Sequence, residues 1–246
     1  MKVQDYIASR RNESPLHFTL LDPGKTSAED LITLATQTAE AGTDGFMVGG
    51  STDLSLENVD LAVETIKETT HMPVILFPTH ASSVSGKADA IFFMSLLNSE
   101  SRQFLVGEQI ASAPWVKKTG LEPLSMAYLV VAPGMTAGRV GQAQPLPRDQ
   151  PDLVVSHALA GQYLGMKYIY LEAGSGASEP VPENIIKAVR ESIDVTLIVG
   201  GGIRTPESAR KVVAAGADIV VTGTFVETSQ SLKEEMTVLT NAIHSK

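Results

Sequence analysis

The chain has no cysteine among its 246 residues. Disulfides and thiolate-bound metals are therefore excluded, which suits a reducing compartment. Apolar runs of membrane-spanning length are also missing, since the longest are strand-sized. The first residues, Met1-Lys2-Val3-Gln4-Asp5-Tyr6, lack the apolar core of a signal segment. The expectation is a cytoplasmic protein without stable membrane insertion. Basic residues are in deficit: 19 Lys and Arg against 28 Asp and Glu leave a net charge of −9. That argues against nucleic-acid binding through bulk charge, but a local site can still take a small anion. His17, His71, His80, His157 and His244 show no metal-ligand spacing. No lysine stands at the C-terminal end of a strand, where a Schiff-base aldolase needs one; Lys167 begins its strand instead.

What is present is an alternation of short apolar runs with longer amphipathic ones, the pattern of a parallel α/β protein. Eight strands are expected, near His17–Leu21, Asp44–Val48, Val74–Phe77, Ala90–Met94, Met126–Val131, Tyr168–Leu171, Thr196–Val199 and Ile219–Val221. With a length close to the roughly 250 residues of an eight-fold β/α barrel, this points to a single (β/α)8 TIM barrel over residues 1–246. Helix ends are readable. Ser27 precedes Ala28-Glu29-Asp30, a helix start that runs to Gly42, and Thr205-Pro206-Glu207 opens another that stops at Gly216.

Two segments break the rhythm. Only twelve residues separate Phe77 from Ala90, serine-rich and opened by Pro78. They can barely hold a helix and its two turns, so the third outer helix is expected to be missing or reduced to a loop. The gap would be a groove for a long ligand, with Phe77, Phe92, Phe93 and Leu96 nearby; plain core is the alternative for these strand residues. The stretch from Ala132 to Pro151, with prolines at 133, 145, 147 and 151, reads as a long loop over the active face.

Chemistry-bearing residues gather where the strands end. Gly200-Gly201-Gly202 and Gly223-Thr224 lie on consecutive strand ends, with Gly201 and Gly223 22 residues apart. Glycine permits close backbone approach to a ligand, and the loops after strands seven and eight are the usual barrel site for phosphate; tight turns that hold no ligand are the alternative. Glu172 directly follows the strand Lys167–Leu171 and carries a carboxylate beside these loops. It is a candidate general base or hydroxyl anchor, or else the ion-pair partner of Arg204 or a neighbouring lysine. Asp22 offers a hard oxygen after the first strand, and Ser51 a hydroxyl after the second. One carboxylate and a hydroxyl, completed by substrate phosphate and water, are a common way to hold Mg²⁺; a turn cap before Pro23 is the alternative for Asp22. Lys25 is either a phosphate screen or a solvated loop lysine.

Taken together, Leu21-Asp22-Pro23, Val48-Gly49-Gly50-Ser51, Tyr170-Leu171-Glu172-Ala173-Gly174-Ser175-Gly176, Gly200-Gly201-Gly202-Ile203-Arg204 and Thr222-Gly223-Thr224 resemble the geranylgeranylglyceryl phosphate synthase family. The Tyr170–Gly176 run is the most specific; the triple glycine is shared by many phosphate-binding barrels. The resemblance implies a Mg²⁺-dependent prenyltransferase of archaeal-type ether-lipid biosynthesis. Such an enzyme joins a prenyl diphosphate to the 3-hydroxyl of sn-glycerol 1-phosphate on a barrel whose third helix is a loop. It further implies that Asp22 and Ser51 hold Mg²⁺, and that Tyr170, Leu171, Glu172, Ala173, Gly174, Ser175, Gly176, Gly201, Gly202, Gly223 and Thr224 bind glycerol phosphate. A homo-oligomer is also implied. Leu20 stands where some members carry a phosphate-binding lysine, as in the second subgroup, leaving Lys25 or Arg204 to compensate. The rival readings are another phosphate-binding barrel enzyme, such as a sugar-phosphate isomerase or a flavin enzyme, and a non-catalytic barrel that holds a phosphorylated ligand.

Overall fold

In the computed structural model, residues 1–50, 54–229 and 231–245 are described. Eight parallel strands close into a barrel in sequence order. They are β1 (Leu16–Leu21), β2 (Gly45–Val48), β3 (Val74–Leu76), β4 (Ala90–Leu96), β5 (Glu122–Val130), β6 (Tyr168–Glu172), β7 (Thr196–Gly200) and β8 (Ile219–Thr222). All eight expected strands are present, displaced by a few residues at most ends.

The helices outside the barrel follow their sequence signals. The Ser27 hydroxyl accepts from the Asp30 amide at the start of α2 (Ala28–Glu40), and Gly42 leaves it at φ 94°. Thr205 and Ser208 form a reciprocal cap on α8 (Pro206–Ala214), in which each side-chain oxygen accepts from the other residue's backbone N–H and so supplies acceptors that the first turn otherwise lacks. The remaining helices of the outer layer are α3 (Leu56–Thr70), α4 (Glu108–Thr119), α6 (Pro151–Tyr163), α7 (Glu183–Ser192) and α10 (Leu232–His244), with a short α9 (Thr224–Thr228) directly after β8. Between β3 and β4 the chain makes a single tight turn, Ala81–Ser83, where an outer helix would stand. The third helix is indeed absent there.

Two features depart from expectation. An N-terminal helix, α1 (Val3–Arg11), buries Val3 and Ile7 in the barrel interior. Its first free amides are capped by Glu122, with Val3 N–H donating to Oε2 at 2.6 Å. The stretch after β5 is not simply a loop. It carries a short helix, α5 (Met135–Val140), and returns to pair Val131 with Leu146. The prolines lie outside Met135–Val140, so nothing there prevents a helical turn.

Strand alternation divides the core in two. Phe18, Met47, Ile75, Phe92, Met126, Tyr168, Tyr170, Ile198 and Val221 fill the barrel. Their neighbours, among them Leu21, Val48, Ile91, Leu129, Leu171 and Val199, pack against the helices. Each such buried side chain contributes about 1.5–3 kcal/mol relative to exposure. The interior is filled, so the strand C-terminal ends are left to form the site. Among the described residues, no helix is long and apolar enough to cross a membrane.

Candidate active site

Register sets the height of Glu172. It pairs with Val130 on one side and Gly200 on the other. Because Tyr168 and Tyr170 point into the barrel, Glu172 does too, on the top layer. Beneath it, Tyr128 and Tyr170 meet edge to face at 5.1 Å between ring centres. Phe77 stacks on Tyr170 at 5.6 Å. A β-carbon at Gly200 would collide with the Tyr170 hydroxyl, so glycine there makes room for the ring's polar end.

Glu172 is buried. Burial raises its pKa above the ordinary 4.5, while the Gly174 amide and the hydroxyls of Tyr170 and Tyr128 pull it part of the way back. The Gly174 N–H donates to Oε1 at 2.6 Å. Both tyrosines are pushed well above their ordinary range by burial and by the Glu172 charge, so they remain protonated donors. Arg204 does not pair with Glu172. Its guanidinium donates to the Gly176 carbonyl at 2.9 Å and ties the β6 loop to the β7 loop.

Beside Glu172 is a small cavity of about 50 Å³, bordered by Ser175, Gly176, Gly201, Gly202, Arg204 and the Thr222–Phe225 turn. Gly201 and Gly202 both have left-handed backbones, at φ 81° and 72°. A β-carbon at Gly201 would strike Glu172 Oε1, and one at Gly202 the Glu179 carbonyl. Ser175 Oγ and Thr224 Oγ1 meet at 3.1 Å across the cavity rim. Glycine turns, two hydroxyls and Arg204, the single cation among the described residues on this lining, suit an oxyanion such as phosphate.

The second cavity is larger, about 130 Å³, and mainly apolar. It runs through the gap left by the missing helix. Phe92, Leu96 and Tyr128 bring it out of the barrel interior, and Val84 and Ile91 belong to the outer layer. Phe77, Phe93 and Phe104 also line it, as does His80, whose Nδ1 lies 3.1 Å from Glu108 Oε1. Leu20, Glu172 and Ser175 border both cavities. The two spaces therefore meet at the Glu172 carboxylate.

Asp22 is buried at the same mouth. Its Oδ1 accepts from the Gly24 amide at 3.0 Å, so it does cap its own turn. Lys25 Nζ lies 3.3 Å from Oδ2 and 3.8 Å from Glu227, which makes it a partner of carboxylates. Gly50 faces Asp22 so closely that a β-carbon would overlap both carboxylate oxygens. No three His, Asp or Glu side chains among the described residues group to hold a metal. A single carboxylate under a glycine fits a Mg²⁺ ion that takes most of its ligands from phosphate and water. Ser51 lies outside the described residues.

The expected phosphate-binding set divides. Tyr170, Glu172, Ser175, Gly176, Gly201, Gly202, Gly223 and Thr224 come together around the small cavity. Gly174 contributes its amide to Glu172. Leu171 and Ala173 do not join them; they pack outward beneath the helices, because alternate strand residues face opposite sides. Sequence reading missed Tyr128. Its signal was there: Tyr128 pairs with Tyr170, but only the register reveals it.

The model of the PcrB family matches residues 7–242. Geranylgeranylglyceryl phosphate synthase of Pyrococcus horikoshii is 53% identical over 233 residues, covering 95% of this chain and 92% of that protein. A solved structure of (S)-3-O-geranylgeranylglyceryl phosphate synthase from Thermoplasma acidophilum, in complex with the substrate sn-glycerol-1-phosphate, is similar. It has a TM-score of 0.96 and 44% identity, and the match covers 99% of each chain. Wild-type GGGPS from Thermoplasma volcanium gives a TM-score of 0.96 at 43% identity, over 100% of this chain and 99% of that one.

Proposed function

This chain belongs to the PcrB family, and from that premise we infer that it is a prenyltransferase joining geranylgeranyl diphosphate to the 3-hydroxyl of sn-glycerol 1-phosphate. The observation that carries this reading is the meeting of an apolar groove and a small polar cavity at one buried carboxylate. The groove suits the prenyl chain. The glycine cavity suits the phosphate of the acceptor, with Arg204 as its cation.

The reaction needs the acceptor hydroxyl close to the first prenyl carbon. The carbon–oxygen bond to diphosphate breaks, and its electron pair leaves with diphosphate. The glycerol oxygen forms the new bond to that carbon and loses its proton. Glu172 receives the proton; its burial raises the pKa and so makes it a better base than a solvated glutamate. Tyr128 and Tyr170 hold the carboxylate in place beneath the hydroxyl. Fixing both partners supplies rate through positioning, and the apolar groove keeps water from competing for the prenyl carbon.

Mg²⁺ belongs to this reading, with Asp22 and Ser51 to hold it; when bound it would neutralise charge on the diphosphate. A homo-oligomer in the cytoplasm is part of the same proposal. A sugar-phosphate isomerase would want a second acid or base across one carbon. Glu172 is the sole carboxylate among the described residues lining the small cavity.

The test is incubation of the purified protein with Mg²⁺, labelled sn-glycerol 1-phosphate and prenyl diphosphates of graded length. Label should pass into an organic phase only when both substrates are present, and chelation should stop it. Label that stays in water with every prenyl diphosphate would sink the proposal.

A further inference from the structure

One charged side chain at the barrel mouth has no part in the reaction derived above, and it lies on the carboxylate assigned to the metal. The chain itself puts Lys25 there. The Lys25 N–H donates to the Asp22 carbonyl at 3.0 Å, which closes a four-residue turn with Pro23 and Gly24 at its corners. Proline pre-sets the backbone angle that the first corner needs. The turn folds Lys25 back over the residue that opens it, and Nζ comes to lie 3.3 Å from Asp22 Oδ2. The other oxygen, Oδ1, accepts from the Gly24 amide. Glu227 borders the same point. It belongs to α9, the short helix that begins at Thr224 of the phosphate cavity, and its Oε1 is 3.8 Å from Nζ. The ammonium therefore sits between two carboxylates, of which Asp22 is buried.

We propose that the Lys25 ammonium is a resident counter-cation of Asp22, which a divalent ion must displace before it can use that carboxylate; this rests on the Mg²⁺ site proposed above. Oδ2 is the oxygen that the turn leaves over, and Lys25 already takes it. Two cations drawn to one oxygen repel each other, so metal binding at Asp22 is set against loss of the lysine pair. An ion pair on the surface is worth little, but one with a buried member is screened less by salt. The lysine stem is long and half exposed, and Glu227 offers the displaced ammonium a second partner. Mg²⁺ alone then holds weakly to the protein. With the diphosphate it brings phosphate oxygens as further ligands, and the competition with Lys25 matters less. The consequence is an order of binding, in which the ion enters together with the prenyl diphosphate rather than ahead of it. Lys25 is in this account neither a phosphate screen nor an idle loop lysine.

The experiment measures Mn²⁺ binding to the substrate-free protein through the loss of the free-ion EPR signal, with Mg²⁺ added as competitor. No turnover enters the readout. Lys25→Met keeps an unbranched stem without the charge, and it should bind Mn²⁺ about fivefold more tightly than wild type. Lys25→Arg keeps the charge and should bind as wild type does. Adding Asp22→Asn to Lys25→Met should remove the gain, which would locate the ion at Asp22. Lys187→Met, on α7, deletes an exposed positive charge that pairs with Glu191 and should change nothing. Equal or weaker Mn²⁺ binding in Lys25→Met overturns the inference. So does a gain that survives Asp22→Asn, or one that Lys187→Met reproduces. If chelation leaves prenyl transfer by wild type intact and neither wild type nor Lys25→Met takes up Mn²⁺, the Mg²⁺ site falls and this inference with it. If transfer requires Mg²⁺ and Lys25→Met binds no more tightly than wild type, only the role of Lys25 falls.

Discussion

The amide of Gly174 donates to Oε1 of Glu172 at 2.6 Å, so the loop after β6 grips the carboxylate that ends the strand. This contact and the two tyrosine hydroxyls favour the ionised form, while burial favours the neutral one and prevails. Glu172 must be ionised to accept a proton. Activity should therefore rise with pH through an acid limb placed above the ordinary glutamate value of 4.5. Glu172→Gln should lower kcat by about 10²–10⁴-fold, the usual worth of a general base, with a much smaller change in KM for prenyl diphosphate. In Tyr128→Phe, losing one donor should move the acid limb to higher pH. A near-wild-type kcat for the glutamine variant would remove Glu172 from the base role.

Gly201 and Gly165 separate conformational strain from site chemistry. Both have left-handed backbones, at φ 81° and 88°. A β-carbon at Gly165 meets nothing within 4 Å, whereas at Gly201 it would strike Glu172. Gly165→Ala should cost stability of about 1–2 kcal/mol from the backbone alone, with KM values unmoved. Gly201→Ala should add to that strain a rise of about tenfold or more in KM for glycerol phosphate, since it displaces both the cradle and the carboxylate. Denaturant titration together with steady-state kinetics on the two variants makes the comparison. Equal effects on KM would mean that residue 201 acts only through stability.

Asp22 and Gly50 should behave as one unit toward Mg²⁺. Asp22→Asn removes the charge; Gly50→Ala leaves it but forces the carboxylate aside. Each should raise the Mg²⁺ concentration needed for half-maximal activity by about tenfold, of order 1.4 kcal/mol. Magnesium titration at saturating prenyl diphosphate measures this. If the alanine variant titrates like wild type, Gly50 does not guard the metal position.

Much of this site was legible in the sequence for a simple reason. Strand ends and glycine turns are local patterns, and the twelve residues between Phe77 and Ala90 leave barely enough chain for a helix and its two turns. The outward packing of Leu171 and Ala173 was also available from strand alternation, once Glu172 was taken as inward. What local pattern could not supply was register. Tyr128 becomes part of the site only because β5 pairs it with Tyr170. The helix α1 was obscured for a different reason: it buries only Val3 and Ile7, too few apolar positions to mark a helical face. In α5 the surrounding prolines masked a helical turn that contains none.

His17 gives the fold a built-in sensitivity to acid. It is fully buried on β1, with Nδ1 2.9 Å from Thr43 Oγ1 and Nε2 2.9 Å from Thr222 Oγ1. Burial pushes its pKa down from 6.5 to about 3; the Asp44 charge opposes this, and His244 adds to it. Between those two values the unfolded chain binds a proton that the folded chain does not. Stability should then fall as pH is lowered through this window, by about 1.4 kcal/mol per pH unit from this group alone. Above the ordinary value of 6.5 the contribution is constant. Urea denaturation at a series of pH values from neutral downward reads the slope. His17→Gln retains hydrogen-bonding capacity without a titrating ring, so whatever its absolute stability, its slope should be shallower by that amount. Carboxylates outside this cluster contribute equally to both proteins and cancel in the difference; Asp44, which is depressed when folded and acts on His17, is ionised in both proteins well above its ordinary value of 3.8, where the slopes are compared. Parallel slopes for wild type and variant would show that His17 takes up its proton without unfolding the barrel.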